Sequence, residues 1–412
     1  MLKVGVLVDL GRGPHAGGHV KCWERIAEAS VKINEDIDLS VHFQGSFEEI
    51  IPLGPRSRII TLKPIFSSER LFFLRNLADY SDLARNHRRL KYYLKNYDVI
   101  HTTDGHFAYA HTAAKFTRQR GIPMVHSSHT NTPGFTKVYS ERAILRLFGE
   151  NFISHLLINR VDLPDRFSRY MEKSLRKHIA NCAAVLASGN DNFPVYVPDA
   201  LPHTQLRRGI DKTLFHPNKS DANKLRTQYG IRNDIPLIAF VGRLDASKNI
   251  MTLVKAAKRL LDHGQDFHLI LAGKGYLREE IEQVLGGHVS FAGTLSPQQV
   301  AHLNASSNLF VFPSTLEVWP NAVLEAKACG TAVLVAPGGG DIYVSEQNKD
   351  GIIVENQSSS HWAAMIDELL NDPARLARVG AAARKDVETR RLSWENVLRE
   401  DLIPVWRRVA NQ

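Results

Sequence analysis

Two glutamates, Glu317 and Glu325, stand with seven residues between them in the run STLEVWPNAVLEAKACGTAVLVA. The apolar run NLFVFP precedes them, and a helix is expected to begin near Asn321. A helix start presents unpaired N–H groups and the positive end of the helix dipole, which suits a diphosphate. Carboxylates beside it can accept hydrogen bonds from sugar and ribose hydroxyls. An ordinary surface helix with two solvated glutamates would show the same spacing, but Trp319-Pro320-Asn321 between them and the strand before them favour a site. A second group lies in FVGRLDASKN, where Arg243 and Lys248 follow a strand end and precede a helix. A guanidinium and an ammonium held there can neutralise the two phosphates of a departing nucleotide; the alternative is a pair of solvated loop cations. LAGKG supplies Gly273 and Gly275 at the next strand end, where small residues let a base or ribose approach the backbone. Near the start, Gly17-Gly18 can turn backbone N–H groups toward a phosphate or hexose, or serve as a flexible turn. VHSSHTNTP places His126 and His129 after a further strand end, and His129 is the preferred site residue.

These residues need elements to position them. LKVGVLVDL at 2–10 is an apolar run ending in the Gly-rich turn GRGPHAGGH, and a helix over Val20 to Ile33 follows. Strand, glycine loop and helix in that order open a nucleotide-handling α/β domain. Further buried strands are expected at Leu39–Phe43, Arg58–Leu62, Val99–Thr102, Pro123–Ser127 and Ala184–Ala187. The pattern restarts near residue 219 with strands at 236–242 and 267–273, then VSFAG, NLFVFP and TAVLVA, with helices between. Such alternation predicts mostly parallel sheets covered on both faces. The expected division is residues 1–218, 219–393, and an amphipathic C-terminal helix over 394–412 whose packing partner is open. Each of the larger parts has ordinary domain size.

Composition is ordinary for a globular chain, with 43% hydrophobic and 23% charged residues. No apolar run approaches the ~20 residues of a membrane-spanning helix, and the first strand begins so close to Met1 that no secretory leader is expected. Cys22, Cys182 and Cys329 lie far apart, without metal spacing, and read as reduced buried thiols. The charge is uneven: residues 71–218 carry the entire net +9, and the segments on either side sum to zero. That points to an anionic partner on one face, or to a merely soluble basic surface. Nucleic acid is disfavoured, since the basic region holds no reader motif.

Taken together, the glycines at 17–18, SSHTNTP, GID…FHP, VGRLDASKN, LAGKG, FAG and Glu317–x7–Glu325 resemble a retaining glycosyltransferase of family four. The resemblance runs over nearly the whole chain and is densest from Gly209 to Val354. It implies the GT-B fold, two Rossmann-like domains facing across a deep cleft. By position it assigns Arg243 and Lys248 to the donor diphosphate, Glu317 to the donor hexose and Glu325 to the ribose. Phe291, Ala292, Gly293 and Thr294 would flank the base, and Gly18 would lie under the phosphates. Gly273, Gly275, Val318, Trp319, Pro320 and Asn321 complete the donor-binding set, and His129 matches an acceptor-side histidine beside the anomeric centre. Val318 departs from the family's usual glycine, GTAVLV lacks the usual proline, and Asp341 stands near a more typical glutamate. A nucleotide-sugar would be a substrate, with neither cofactor nor metal expected.

The acceptor is read from two amphipathic stretches, 69–96 and 141–160, which mix Phe, Leu and Tyr with Arg and Lys. Such helices can lie on an anionic bilayer, or be core helices with a basic solvated face. SSHTNTPGFTKVY also resembles the acceptor loop of family members that glycosylate diacylglycerol and related lipids. The reading is therefore a cytoplasmic transferase, peripheral on the inner face of the cytoplasmic membrane, with a lipid acceptor. Alternatives are a soluble transferase acting on a polysaccharide or small glycoside, and a non-catalytic nucleotide-sugar binder. The joint presence of Arg243, Lys248, Glu317 and Glu325 argues against the last. A sugar-nucleotide epimerase of similar shape lacks identifiable acids.

Overall fold

The computed structural model describes residues 1–13, 16–74, 80–129, 131–187, 197 and 201–412. Part of the glycine turn (residues 14 and 15), part of the 69–96 stretch (75–79) and residue 130 of SSHTNTP lie outside them. The chain divides into two compact units, Met1–Arg208 with Trp394–Gln412, and Gly209–Ser393.

The first unit contains β1 (Leu2–Gly11), β2 (Ile37–Gln44), β3 (Glu49–Gly54), β4 (Ser57–Leu62), β5 (Val99–Thr102), β6 (Met124–Ser127), β7 (Ala184–Ala187) and β8 (His203–Gln205). They form one sheet in the order β3-β4-β2-β1-β5-β6-β7-β8. All neighbours pair in parallel except β3 with β4. The central strands are buried along their length, as helices on both faces require, and so read as continuous apolar runs. β3 and β8 were not expected. Both are edge strands: β3 is largely exposed and carries Pro52, which an edge tolerates because no ladder bond is needed there.

The second unit contains β9 (Leu237–Val241), β10 (His268–Ala272), β11 (Val289–Gly293), β12 (Leu309–Phe312), β13 (Ala332–Val335) and the short β14 (Ile352–Ile353). Their order is β11-β10-β9-β12-β13-β14, all parallel. The order reverses between β9 and β12. At such a switch point the loops leaving the two strands diverge to opposite faces and open a crevice at the carboxyl ends. Phe240, Phe310 and Phe312 stack within the core, with Trp362 fully buried.

The division falls ten residues before the expected position 219. Ile210 and Phe215 are buried in the core of the second unit, and Ile210 N–H bonds the Leu392 carbonyl at 3.0 Å. Arg384 donates to the carbonyls of Phe215 and Ala328, tying the same segment down. The C-terminal segment, whose partner was open, packs into the first unit. Arg207 bonds Asp401 through both backbone and guanidinium, and the fully buried Trp406 donates to His101 Nδ1 at 3.0 Å.

Candidate functional site

The loops leaving β9 and β12 carry Arg243 and Lys248, and Glu317, Val318, Trp319 and Pro320, of the expected donor residues. After Val241 the chain passes Gly242 and Arg243, makes a short turn over Ala246–Lys248, and enters the helix Ile250–Asp262. Asp245 caps that turn by accepting from Ser247 N–H at 2.9 Å. The same carboxylate accepts from Arg243 Nε at 3.1 Å, and Ser247 Oγ accepts from Arg243 at 3.0 Å. The guanidinium is thereby aimed while remaining partly exposed. Asn249 has left-handed backbone (φ 51°) and donates to the Pro313 carbonyl, pinning the β9 loop to the β12 loop. Lys248 then reaches Glu317: its ammonium donates to Glu317 Oε1, which also accepts from the buried Ser314 hydroxyl at 2.7 Å. The two side chains are 14% and 12% exposed, so the pair is largely desolvated but open at one end. A charged pair in that position is available to a ligand.

Glu317 is set by glycines that the sequence reading did not use. Its N–H bonds the Gly338 carbonyl at 3.0 Å, and a Cβ on Gly339 would stand 1.7 Å from the Ser314 carbonyl. Gly338 and Gly339 after β13 therefore have to be glycine for the 314–317 loop to pass. Gly273 and Gly275 have a similar explanation. A Cβ on either would meet the carbonyl of Gly242 or Leu244 at 1.8 or 2.0 Å, so what approaches these glycines is the Arg243 loop itself. They position Arg243 by packing the two loops together.

The helix Asn321–Ala328 begins with Pro320 as its cap, and no side chain caps it. Trp319 Nε1 and Asn321 Oδ1 are buried there without a protein partner among the described residues. Buried polar atoms are rarely left unsatisfied, so a pair of them at an uncapped helix start makes this a candidate position for a ligand. Val318 and Pro320 are buried, and Glu325 is half-buried one turn further along the helix. Behind it the fully buried Lys327 bonds Asp350 at 2.7 Å and Asp386 at 3.0 Å, fixing this helix to its neighbours. Ala292 and Gly293 end β11 half-buried, Gly293 with φ 66°, and Thr294 beyond them is exposed.

In the first unit, Gly18 opens the helix Gly18–Lys32 and is exposed. His126 and His129 differ sharply. His126 is fully buried with both ring nitrogens partnered, to Thr102 at 3.1 Å and Ser128 at 2.9 Å, and is a structural residue. His129 stacks on His19 with ring centroids 4.6 Å apart, and its Nε2 lies 3.2 Å from the Trp23 indole and 2.8 Å from Ser127 Oγ. Its Nδ1 has no partner among the described residues. Burial, then the positive charge drawn from His19 and Arg208, holds its pKa well below the ordinary histidine value. The ring is therefore only weakly basic, which suits positioning better than base catalysis. Two carboxyls went unnoticed in the sequence: the buried Asp9, which accepts from Tyr109 N–H at 2.8 Å, and the half-buried Asp104, whose pKa desolvation raises to about 6.

The two basic stretches part company. The helix Arg88–Leu94 buries Leu90, Tyr93 and Leu94 and exposes Arg88, Arg89 and Lys91, so this half of 69–96 is the core helix with a basic solvated face. Residues 141–160 do the opposite. Leu147, Phe148, Phe152, Ile153 and Leu156 are all exposed, Phe152 at 79%, beside exposed Arg146 and Arg160. The adjoining helix Leu163–Ile179 adds exposed Phe167 and Tyr170 among Arg166, Arg169 and Lys173. No described helix is long and apolar enough to cross a membrane. Among the described residues, no group of His, Cys, Asp and Glu is placed to hold a metal.

Comparison with known proteins gives two matching family profiles, Glycosyltransferase Family 4 over residues 24–188 and Glycosyl transferases group 1 over residues 221–386. A D-inositol 3-phosphate glycosyltransferase of Rhodococcus erythropolis is 24% identical over 331 residues, 76% of this chain and 68% of that protein. The chain spans about two-thirds of the length of such curated relatives. Sucrose-phosphate synthase from Thermosynechococcus elongatus superposes with a TM-score of 0.74 at 19% identity, covering 99% of both chains. Anabaena HepE in complex with UDP and glucose gives 0.67 at 17% identity, covering 98% of this chain and 99% of that one. With one profile on each of its Rossmann-like units, and with its sheet order and loop motifs in agreement, this chain belongs to the family-4 glycosyltransferases and has the GT-B fold.

Proposed function

We propose that the protein moves a hexose from a nucleotide-sugar to an acceptor hydroxyl with retention of anomeric configuration, the donor being held by the second unit. One observation carries this reading: the Lys248–Glu317 pair at the β9/β12 switch point, beside an uncapped helix start with unpartnered Trp319 Nε1 and Asn321 Oδ1. Breaking the bond between the anomeric carbon and the phosphate oxygen puts negative charge on the diphosphate and positive charge on the carbon. Lys248, Arg243 and the amides near Asn321 stabilise the first without a metal. Glu317, released from Lys248 as the ammonium turns to the phosphate, takes hexose hydroxyls, and Glu325 takes the ribose. The acceptor oxygen bonds the carbon on the face the nucleotide leaves, and its proton passes to the departing phosphate oxygen. His129 orients on the acceptor side. The UDP and glucose in HepE make a uridine nucleotide the first donor to try.

The acceptor we propose is a membrane lipid such as diacylglycerol, reached from an anionic surface on which residues 141–160 rest. The exposed Phe148, Phe152 and Ile153 beside Arg146 and Arg160 support it, because apolar side chains flanked by cations suit a lipid interface. The names of the inositol-phosphate relatives favour a second reading, a soluble phosphorylated polyol. The test is a transfer assay with radiolabelled UDP- and GDP-hexoses against a lipid extract, a glycan panel and inositol phosphate, with Glu317→Ala as control. Label should enter the lipid fraction with wild-type protein and not with the variant. Label in the inositol phosphate alone selects the second reading, and equal transfer by Glu317→Ala removes the donor-site assignment.

A further inference from the structure

The hydrogen bonds around His129 have a direction set from both ends. An indole N–H donates and cannot accept. Trp406 Nε1 is 3.0 Å from His101 Nδ1, which must therefore be the bare nitrogen of that ring. Burial pushes His101 down to about 3, so the ring is neutral and carries its one proton on Nε2. That N–H faces Ser127 Oγ at 2.8 Å and donates to it. The Ser127 hydroxyl is then left to donate onward, to His129 Nε2 at 2.8 Å. The Trp23 indole donates to the same nitrogen at 3.2 Å. Two donors thus converge on Nε2, and the single proton of the neutral His129 ring has to sit on Nδ1, the atom without a protein partner.

We propose that Trp23 directly, and Trp406 through His101 and Ser127, lock His129 as its Nδ1–H tautomer, so that it meets its ligand as a donor to an oxygen lone pair. All five residues belong to the first unit, the last helix included. Trp23, His101, Ser127 and Trp406 are positioning residues, and Trp406 gives the C-terminal segment a role in the site as well as in packing. The tautomer follows from the geometry alone; its use in transfer rests on the assignment of His129 proposed above. A ring locked this way cannot take a proton from the acceptor at Nδ1, and Nε2 is already engaged.

The experiment is imidazole nitrogen NMR of the full chain with 15N-labelled histidine, His129 being assigned by loss of its signals in His129→Asn. Wild-type protein should show a neutral His129 ring protonated at Nδ1 throughout pH 6–8. Trp23→Phe and Trp406→Phe should each keep that tautomer dominant, and the double variant should show a mixture. A wild-type ring protonated at Nε2, or at both nitrogens, overturns the proposal whether or not the double variant folds; an unchanged tautomer in a folded double variant overturns the part given to the two indoles. For the transfer role, His129→Asn keeps an N–H near the Nδ1 position and His129→Asp does not. His129→Asn should exceed His129→Asp in kcat/KM by about 10-fold, the worth of one hydrogen bond plus the cost of a bare acceptor; the reverse order would make His129 a base. Full activity in both variants removes the site assignment and leaves the tautomer result standing.

Discussion

Removing the ammonium of Lys248 should separate two effects that the structure ties together. In the ligand-free protein Lys248 neutralises Glu317, whose other contact is the Ser314 hydroxyl at 2.7 Å. Losing one partner of a fully buried pair costs about 3–5 kcal/mol, but these side chains retain 14% and 12% exposure, so ~1–2 kcal/mol is the expected loss of stability. For a unit of this size that lowers Tm by roughly 2–8 °C. In the transition state the same ammonium faces a departing diphosphate. One unit charge about 4 Å away at an effective dielectric of about 20 is worth ~4 kcal/mol, and deleting one preorganised donor from a site of developing charge costs about 100- to 1000-fold in kcat. The two figures agree, and Lys248→Ala should lose that much turnover while staying folded at 25 °C. The companion variant is Glu317→Gln. It frees the ammonium, so UDP alone should bind at least as tightly as to wild type, whereas Lys248→Ala should bind UDP at least 10-fold more weakly. Calorimetry, steady-state kinetics and thermal melts on the three proteins separate the effects. Turnover by Lys248→Ala within about 5-fold of wild type, with only Tm reduced, would falsify the assignment and leave the pair a structural ion bridge.

Three other outcomes follow from the same structure. Lys327→Met leaves Asp350 buried without its cation and Asp386 with Arg391 as its nearest cation, and should cost about 3–5 kcal/mol, read as a larger Tm loss than that of Lys248→Ala. Although burial opposes ionisation of Asp386, Lys327 and Arg391 hold its pKa below the ordinary carboxylate value; its contribution is present above the unfolded pKa near 4, is lost as pH falls through the folded value, and that acid limb should flatten in the variant. Vesicle flotation tests the exposed apolar surface: each large side chain inserted is worth ~1.5–3 kcal/mol, so Phe152→Ser with Ile153→Ser should weaken binding to anionic vesicles more than 10-fold, and indifference of wild type to vesicles at low salt would remove the membrane reading.

The parallel core strands were legible because a strand covered on both faces must be apolar throughout, and β5 and β7 stand at the expected bounds. Their loops were legible as well, since Arg243, Lys248 and Glu317 each follow such a run. Edge strands β3 and β8 escaped notice because an edge need not be apolar, and β14 because two residues make no pattern. Glycines were visible but not their purpose: only the close approach of Gly242, Leu244 and Ser314 carbonyls shows which loops they admit.

What the residues alone determined is local: which runs are strands, which loops begin helices, and which side chains at strand ends carry charge. These follow from periodicity and backbone chemistry within about a dozen neighbours. Only the tertiary structure decided that β9 lies beside β12, bringing Lys248 to Glu317 across 69 positions, and that Trp406 reaches His101 across 305. Strand order and the docking of the last helix are choices among packings that bury similar apolar area, so no local pattern can state them.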